Sequence, residues 1–315
     1  MSIPKVSVIV GAYRPDLHKL LLTLRSILLQ RECSYEIILT DDGSKENYFA
    51  EVKDFFARAS FSDYKLLPSE KNQGTVLNVW KALQVAQGEY IRLISPGDFL
   101  HGFFALRDWV QFMDKHPEAA MSFCDAIYYH FEGGEIVPTS EFAHPQHTCA
   151  FAGGGSLKPY LLCNDICLGA ATMSRTKSLK KYFPSMLHKV LFAEDNVYRI
   201  MAYAGEVFTF YPASAVLYEY GTGISTSGNS FWAEKIHQDW SAADSIMLSM
   251  PMSPEAQKCH IDTVLLHDGP NTWKMKLKKW SLYPRSFLFS IKRKLLPRHT
   301  PCTVDPSFVH RLLVD

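Results

Sequence analysis

The chain has 315 residues, of which 47% are hydrophobic, and its formal net charge at pH 7 is +1. This length and composition support one large domain, with or without an appendage, and the near-neutral charge argues against a general nucleic-acid-binding protein. The 7 cysteines show no CxxC spacing, and no apolar run reaches membrane-spanning length. We therefore expect reduced thiols and a cytoplasmic location, without a disulfide framework, a secretory signal or a spanning helix.

Strand-like and helix-like segments alternate in the first part of the chain. In order they are a strand at residues 6–10, a helix at 17–28, strands at 36–40 and 64–67, a helix at 76–86 and a strand at 89–94. Repeated β-α units with short apolar strands predict an α/β fold, with a mostly parallel sheet that helices cover on both faces. Further on, the pattern predicts a helix near 104–114, a strand at 120–128, a helical run around 194–204 and a strand-rich segment at 207–218.

Small and acidic residues follow the predicted strands. The sequence places Gly11, Ala12 and Tyr13 after the first strand, Asp41 and Asp42 after the second, and Asp98 after the fourth. In parallel sheets, ligands bind beyond the carboxyl ends of the strands. We therefore expect these residues to mark the binding edge of the sheet.

Four segments of the chain together resemble the inverting glycosyltransferases of family 2. They are VSVIVGAYRPDLHKLLLTLRSILLQ, EIILTDDGS, NQGTVLNVWKALQVAQGEYIRLISPGDFL and FAEDNVYRIMAYAG, in the order and spacing typical of that family. The resemblance implies the GT-A fold of nucleotide-diphospho-sugar transferases. It also implies transfer of a sugar, with inversion, from a nucleotide-sugar such as a UDP-sugar to a hydroxyl of a saccharide or lipid-linked acceptor, in surface polysaccharide biosynthesis.

The same resemblance suggests how the chain is divided. Residues 1–228 are expected to form the catalytic domain, with a nucleotide-binding part at about 1–100 and an acceptor part at about 101–228. Residues 229–315 are expected to form a helical, basic C-terminal extension.

On the donor side, the resemblance assigns nucleotide binding to the first two strand ends. Gly11, Ala12 and Tyr13 are expected to border the base, and Asp42 to accept a hydrogen bond from a base edge such as the imino N–H of uracil. Asp41 is expected to support the loop. The alternative is a plain turn after a strand, since Asp, Gly and Ser all favour turns.

The next donor-side segment contains Asn72, Gly74 and Asn78, which also match the family's nucleotide-binding region. Here too a structural interpretation is open. Asn-x-Gly is turn chemistry, and Asn78 could be an exposed helix residue.

The predicted metal site is incomplete. Family members carry Asp-x-Asp where this chain has Ser95-Pro96-Gly97-Asp98. The resemblance implies that Mg²⁺ or Mn²⁺, held directly or through water by Asp98, neutralises the donor diphosphate. The alternatives are that Asp98 is a loop acid that caps a following helix, or that the whole chain is a non-catalytic binding or scaffold protein on a degenerate fold of this kind.

A second acidic pair, Glu194 and Asp195, matches the family's Glu-Asp motif. The resemblance assigns Asp195 as the general base that deprotonates the acceptor hydroxyl, with Glu194 as the second choice. In the alternative interpretation, both acids simply favour the positive end of the helix that follows them.

The C-terminal region has its own composition. No acidic residue occurs between Gly269 and Val304, while lysines and arginines are interleaved with Trp, Tyr and Phe. Residues 271–299 therefore suit an interfacial segment on an anionic membrane surface, which would make the protein peripheral on the inner face of the cell membrane. The alternative is a helix that packs its apolar side on the catalytic domain.

Overall fold

The computed structural model describes residues 3–142, 168–222, 230–254, 256–258, 260–261, 272–282, 288 and 303–314. Its first part alternates the strands β1 (Val6–Ala12), β2 (Tyr35–Asp41), β3 (Tyr64–Pro68) and β4 (Tyr90–Ile94) with the helices α1 (Leu17–Leu28), α2 (Phe49–Arg58) and α3 (Thr75–Val85). Then follow β5 (Phe99–Leu100), α4 (Ala105–Lys115), β6 (Ala119–Glu132), β7 (Glu135–Phe142), β8 (Thr172–Arg175), α5 (Thr176–Tyr182), α6 (Asn196–Tyr203) and β9 (Val207–Glu219). The C-terminal helices whose bounds lie within the described residues include α7 (Ser230–Ser249), α8 (Trp273–Leu282) and α9 (Pro306–Leu313).

The described strands form one mixed sheet in the order β3-β2-β1-β4-β8-β6-β9-β5, with β7 paired to β6. The strands β3, β2, β1 and β4 are parallel, as the β-α pattern predicts. Beyond β4 the sheet changes character, because β8 runs antiparallel to both β4 and β6 while β6 and β9 are parallel. The expected α/β fold is confirmed, and its second half contains more antiparallel pairing than the sequence indicates.

The strand register brings the predicted binding residues to one edge. Ala12 at the end of β1 is paired with Asp41 at the end of β2, and Val10 is paired with Ile94 of β4. Carboxyl ends of parallel strands meet at the same edge of a sheet. The turns that follow β1, β2 and β4 are therefore neighbours.

Helices cover both faces of the sheet because the side chains of a strand alternate between faces. In β1, Val8 and Val10 pack in the cluster that includes α1, α2 and α4, whereas Ile9 packs in the cluster that includes α3, α5, α6 and α7. All three side chains are fully buried. The apolar strands thus form the middle layer of a helix-sheet-helix arrangement.

Two helices after residue 228 pack on this core. On α7, Ala243, Ile246 and Met247 are buried in the same cluster as α3 and α6. On α9, Phe308 and Leu312 are buried in a third cluster with residues of α1, β5, β6, β7 and β9. The domain boundary at 228 stays a prediction, and these contacts show how closely the two predicted parts are joined.

The expected membrane-binding segment, residues 271–299, lies largely outside the described residues. Within it, α8 exposes Trp273 and Leu277 together with Lys274 and Lys278. None of the described helices combines the length and apolar composition that crossing a membrane requires.

Candidate active site

Asp42 holds together two loops at the edge of the sheet. Its own N–H donates to the Ala12 carbonyl at 2.9 Å. Its carboxylate Oδ1 accepts the N–H of Gln73 at 2.8 Å, and Oδ2 accepts the N–H of Gly74 at 2.9 Å. Burial raises the pKa of this carboxyl, and the charge of Asp41 adds to the effect. Asp42 thus organises the turn before α3, and its contact with a nucleotide base stays a prediction.

Asp41 supports the loop that follows β2, as the expected role requires. Its Oδ2 accepts the N–H of Ser44 at 2.8 Å. Its Oδ1 is buried and has no hydrogen-bond partner among the described residues. A buried carboxylate oxygen without a donor costs free energy, so an N–H group brought by a ligand would be stabilising there.

The turn after β1 contributes an exposed aromatic ring. Tyr13 is 44% exposed, and the Arg14 guanidinium lies 5.1 Å from the centre of its ring. Ala12 is buried, whereas a side chain built at Gly11 would meet no atom within 4 Å. Tyr13 is therefore the member of this group with a surface available to a flat ligand.

Asn78 and Asn72 differ in environment. Asn78 is 4% exposed, its carboxamide oxygen accepts the Thr40 hydroxyl, and its Nδ2 donates to the Ala12 carbonyl at 3.5 Å. The interpretation of Asn78 as an exposed helix residue is therefore wrong, because it joins α3 to the ends of β1 and β2. Asn72 is exposed on the turn that Asp42 holds. Nucleotide contacts by either residue stay predictions.

Gly74 brings a second loop against the turn that is predicted to bind the donor. It has a φ of +92°, and a Cβ at this position would lie 2.5 Å from the carbonyl oxygen of Leu191. That same carbonyl accepts the N–H of Val76 in α3 at 3.0 Å. Only glycine satisfies both the conformation and the close approach. The loop before α6, which carries the second acidic pair, is thus fixed to the first turn of α3.

A buried carboxylate on α7 holds the other side of this loop. Asp239 is 4% exposed. Its Oδ1 accepts the N–H of Leu191 at 2.9 Å, and its Oδ2 accepts the N–H groups of Phe192 at 2.7 Å and Ala193 at 2.9 Å. Three consecutive backbone amides therefore converge on one side chain.

Glu194 and Asp195 follow directly after these amides. Asp195 is exposed and precedes α6, but its side chain makes no capping hydrogen bond to that helix. Glu194 is half-buried, and burial raises its pKa, with the carboxylates of Asp195 and Asp239 adding to the effect. Asp195 occupies the N-cap position of α6, where the helix dipole favours an acid, so the structural interpretation stays open beside the functional one. The base assignment itself stays a prediction.

Asp98 lies in a different environment from the one predicted. It is 6% exposed, and its Oδ1 accepts the N–H of Glu219 at 3.2 Å. The Thr23 hydroxyl of α1 donates to the Asp98 carbonyl and accepts the N–H of Gly97, both at 3.0 Å. A strand follows Asp98 directly, so its interpretation as a helix cap is wrong.

The residues around Asp98 do not fit a divalent cation as they are arranged. Carboxylates of Asp98 and Glu219 are the oxygen ligands that Mg²⁺ and Mn²⁺ prefer, but the Lys19 ammonium already pairs with Glu219 at 2.5 Å. Burial raises the pKa of Asp98 to about 7, although the guanidinium of Arg92 opposes the shift. Across the described ranges, no group of three His, Cys, Asp or Glu side chains is placed to hold a metal. Asp98 as a ligand stays a prediction.

The structure therefore sorts the predicted residues into two groups. One hydrogen-bonded path connects Asp42, through Gly74 and α3, to the loop that ends in Glu194 and Asp195. Asp98 instead belongs with Glu219 of β9 and Lys19 of α1.

Sequence reasoning missed Asp239, Glu219 and the Leu191 carbonyl. One feature of the sequence could have indicated that Asp239 is buried. It lies four residues before Ala243 and seven before Ile246, a spacing that places it on the buried side of α7. A carboxylate on the apolar side of a helix is rarely buried without partners. The backbone carbonyl of Leu191 leaves no signal of this kind.

Comparisons with known proteins agree with this architecture. The chain matches the model of the family described as "Glycosyl transferase family 2" over residues 7–183. It is 34% identical over 114 residues to "Putative glycosyltransferase EpsE" of Bacillus subtilis (strain 168), covering 36% of this chain and 40% of the relative. It is 30% identical over 122 residues to "Uncharacterized protein y4gI" of Sinorhizobium fredii, covering 39% of this chain and 13% of that relative. The chain thus spans less than half the length of these relatives.

Two solved structures share the fold. The S. aureus TarS 1–349 structure superposes with a TM-score of 0.59 at 16% identity, covering 92% of this chain and 80% of that one. The mannosyltransferase PcManGT from Pyrobaculum calidifontis, in complex with GDP-Man and Mn²⁺, gives a TM-score of 0.58 at 12% identity, covering 99% and 87% of the two chains. The expected GT-A architecture is confirmed. Since the family model extends from the first parallel strand through α5 and matches more than half of the chain, this protein belongs to glycosyl transferase family 2.

Proposed function

We propose that the protein is an inverting glycosyltransferase. It moves a sugar from a nucleotide-sugar, in our proposal a UDP-sugar, to a hydroxyl of a saccharide or lipid-linked acceptor in surface polysaccharide synthesis. The observation that supports this most is the hydrogen-bonded path from Asp42 through Gly74 to the Leu191 carbonyl, which connects the proposed donor-side acid to the loop of the proposed acceptor-side acids. Family membership, and the UDP-GlcNAc in a TarS structure and GDP-Man in the mannosyltransferase, support the donor class.

In this proposal, Asp195 removes the proton from the acceptor hydroxyl. A sugar hydroxyl is a weak nucleophile at neutral pH, and a positioned general base contributes about 10²- to 10⁴-fold to the rate. The acceptor oxygen bonds to the anomeric carbon as the bond from that carbon to the diphosphate breaks, the proton passes to Asp195, and the nucleoside diphosphate leaves. Attack from the face opposite the leaving group inverts the anomeric centre.

On the donor side, Tyr13 and Asp42 are proposed to contact the base, beside Asp41 with its unpartnered Oδ1. The buried, already paired surroundings of Asp98 do not fit a cation, so no step of the proposed reaction passes through a metal. Glu194 is the second choice for the base. Its raised pKa would place the acid limb of the rate profile nearer to neutral pH than an ordinary carboxylate would.

The first experiment is a thermal-shift titration with UDP, GDP, dTDP and CMP, with and without Mn²⁺. A ligand that binds the folded state raises the melting temperature, so one nucleotide is expected to shift it selectively. Transfer is then compared between wild type, Asp195→Asn and Glu194→Gln. We expect Asp195→Asn to lose transfer by roughly 10²-fold or more while keeping the nucleotide-induced shift. Unchanged turnover in Asp195→Asn would move the base assignment to Glu194.

A binding or scaffold protein is the second candidate function. Ser95 and Gly97 stand where family members carry acids. The carboxylate of Asp98 is buried and accepts the N–H of Glu219 at the end of β9. If no nucleotide raises the melting temperature and no transfer occurs, this candidate replaces the enzyme.

The C-terminal region suggests where such an enzyme would work. The exposed Trp273 and Leu277 of α8, beside Lys274 and Lys278, support contact with an anionic membrane that presents lipid-linked acceptors at its cytoplasmic face. Sedimentation with vesicles of anionic lipid, compared with vesicles of neutral lipid, tests this contact. Equal recovery in the two pellets would contradict it.

A further inference from the structure

The contact between α7 and the loop before α6 is made by hydrogen bonds as well as by apolar packing. The loop from Leu191 to Ala193 gives three consecutive N–H groups to the two carboxylate oxygens of Asp239. These donors are backbone groups, so they fix the course of the main chain. The next two residues of that chain are Glu194 and Asp195.

We propose that Asp239 is a positioning residue for the acceptor-side acids. The proposal rests on the proposed function, because it assumes that Glu194 or Asp195 acts on the acceptor. Asp239 does not touch the reacting atoms in this account. It fixes the backbone that presents these acids.

The loop is held from two sides, and Leu191 is common to both. Its N–H donates to Asp239, and its carbonyl accepts the N–H of Val76 at the start of α3. Each peptide group in this path has a fixed geometry, so a shift of α7 would be transmitted to the first turn of α3. Asp239 therefore sets the separation between the donor half and the acceptor half of the site. A misplacement of about 1 Å at a reacting group can reduce the rate about 100-fold.

Asp239 also contributes charge to the acids it positions. The groups that interact electrostatically with Glu194 are Asp195, Asp239 and Tyr198. Two of these are carboxylates, which disfavour ionisation of Glu194. Removing the charge of Asp239 should lower the pKa of Glu194. Any part of the rate that depends on ionised Glu194 should then persist to lower pH.

The test compares Asp239→Asn with Asp244→Asn, a matched change on the same helix. Asp244 pairs instead with Arg199 of α6 at 2.7 Å. Asparagine keeps the shape of Asp239 but has one carbonyl oxygen where the carboxylate offers two acceptors. We expect Asp239→Asn to lower kcat by about 10- to 100-fold with little change in the KM for the donor, and Asp244→Asn to leave kcat within about threefold of wild type.

Two further readouts separate positioning from simple loss of packing. Where Glu194 contributes to the acid limb of the rate profile, that limb should shift to lower pH in Asp239→Asn alone. Hydrogen exchange at the amides of residues 191–193 should become at least about tenfold faster in Asp239→Asn alone. Asp239→Glu, which keeps the charge but displaces it, should lower kcat without that pH shift.

Each outcome has one meaning. Equal losses of kcat in Asp239→Asn and Asp244→Asn, or unchanged exchange at residues 191–193, would overturn the positioning role. Absence of transfer in the wild type would overturn the proposed function, while the exchange data would still decide whether Asp239 holds the loop. Should Asp239→Asn not fold, exchange in the wild type decides: fast exchange at residues 191–193 overturns the contact, and protection of about 100-fold supports it.

Discussion

At the scale of single residues, Gly74 is a position where the turn before α3 and the loop before α6 approach each other closely. It and Gly102 have the same φ of +92°, but a Cβ at Gly74 would lie 2.5 Å from the Leu191 carbonyl oxygen, whereas one at Gly102 would meet nothing within 4 Å. Gly102→Ala should therefore cost only the backbone strain, about 1–3 kcal/mol. Gly74→Ala should add the overlap, for a total of roughly 2–6 kcal/mol. Urea unfolding of both variants measures the difference, and equal costs would contradict the close approach.

Asp98 gives a prediction with a defined sign. Its pKa is raised from 3.8 to about 7 because the folded protein buries it. Between these pH values the folded protein holds a proton that the unfolded chain has released, so stability falls as pH rises, by up to about 4 kcal/mol. Asp98→Asn, which cannot ionise, should lack this loss and melt at a higher temperature than wild type at pH 8.

The same pair of proteins tests the metal prediction. If the paired surroundings of Asp98 exclude a cation, Mn²⁺ should change the melting temperature of wild type and Asp98→Asn alike at pH 8. A stabilisation by Mn²⁺ that Asp98→Asn abolishes would restore Asp98 as a ligand.

At the scale of secondary-structure elements, α9 is docked through a neutral histidine. His101 Nδ1 lies 2.8 Å from the Ser214 carbonyl, so it carries the proton, and Nε2 accepts the N–H of Asp305 at 2.9 Å. Burial lowers the pKa of His101 below 6.5, although Ser214 and Asp305 oppose the shift. The stability from this contact is therefore present above pH 6.5 and lost as pH falls, because protonated Nε2 cannot accept.

We expect α9 to detach before the core unfolds in acid. Amides of residues 307–313 should exchange faster at pH 5 than at pH 7.5, after correction for the intrinsic rate, while amides of β1 stay protected. His101→Leu should weaken the docking at both pH values and remove the difference between them. The same pH dependence in His101→Leu would assign the effect to another group.

The elements show which parts of this fold were predictable. The strands β1, β2, β3 and β4 were predicted because each is a short apolar run closed by turn residues, and parallel pairing then placed Asp42 and Asp98 at the correct edge. The antiparallel direction of β8 was not predictable, since it depends on pairing with β4 and β6, and the sequence before β8 has no clear hydrophobic periodicity. Asp98 was placed correctly along the chain, but its burial depends on Glu219, 121 residues later.

At the scale of the whole molecule, the proposed site extends beyond the segment that the family model matches. The family model covers residues 7–183, whereas the second acidic pair and its anchor lie at 194, 195 and 239. The residues predicted to bind the donor therefore lie within the segment that the family model matches. The role of Asp239 could not be predicted in this way, because its contact with a distant loop has no motif, and the sequence shows only an acidic residue on the apolar side of α7.

This arrangement makes a prediction about truncation. A chain that ends at residue 228 loses α7, with the buried Ala243, Ile246 and Met247 and the Asp239 contacts. We expect it to lack the cooperative melting transition of the full chain. A chain that ends at residue 304 loses α9 but keeps α7, so it should melt cooperatively at a lower temperature. A normal transition in the shorter chain would support residue 228 as a true domain boundary.

The approach of Gly74 to Leu191 also sets a rule for exchanging parts between relatives. Gly74 belongs to the segment matched by the family model, and Leu191 lies just after it. A chimaera with its junction between them would take Gly74 from one parent and the residue at 191 from the other. Its two backbones would then have to reproduce the close approach of the Leu191 carbonyl oxygen to the Gly74 Cα, and backbones from different parents will rarely do so. To graft a new acceptor half onto this donor half, both residues should come from one parent, with the seam placed elsewhere.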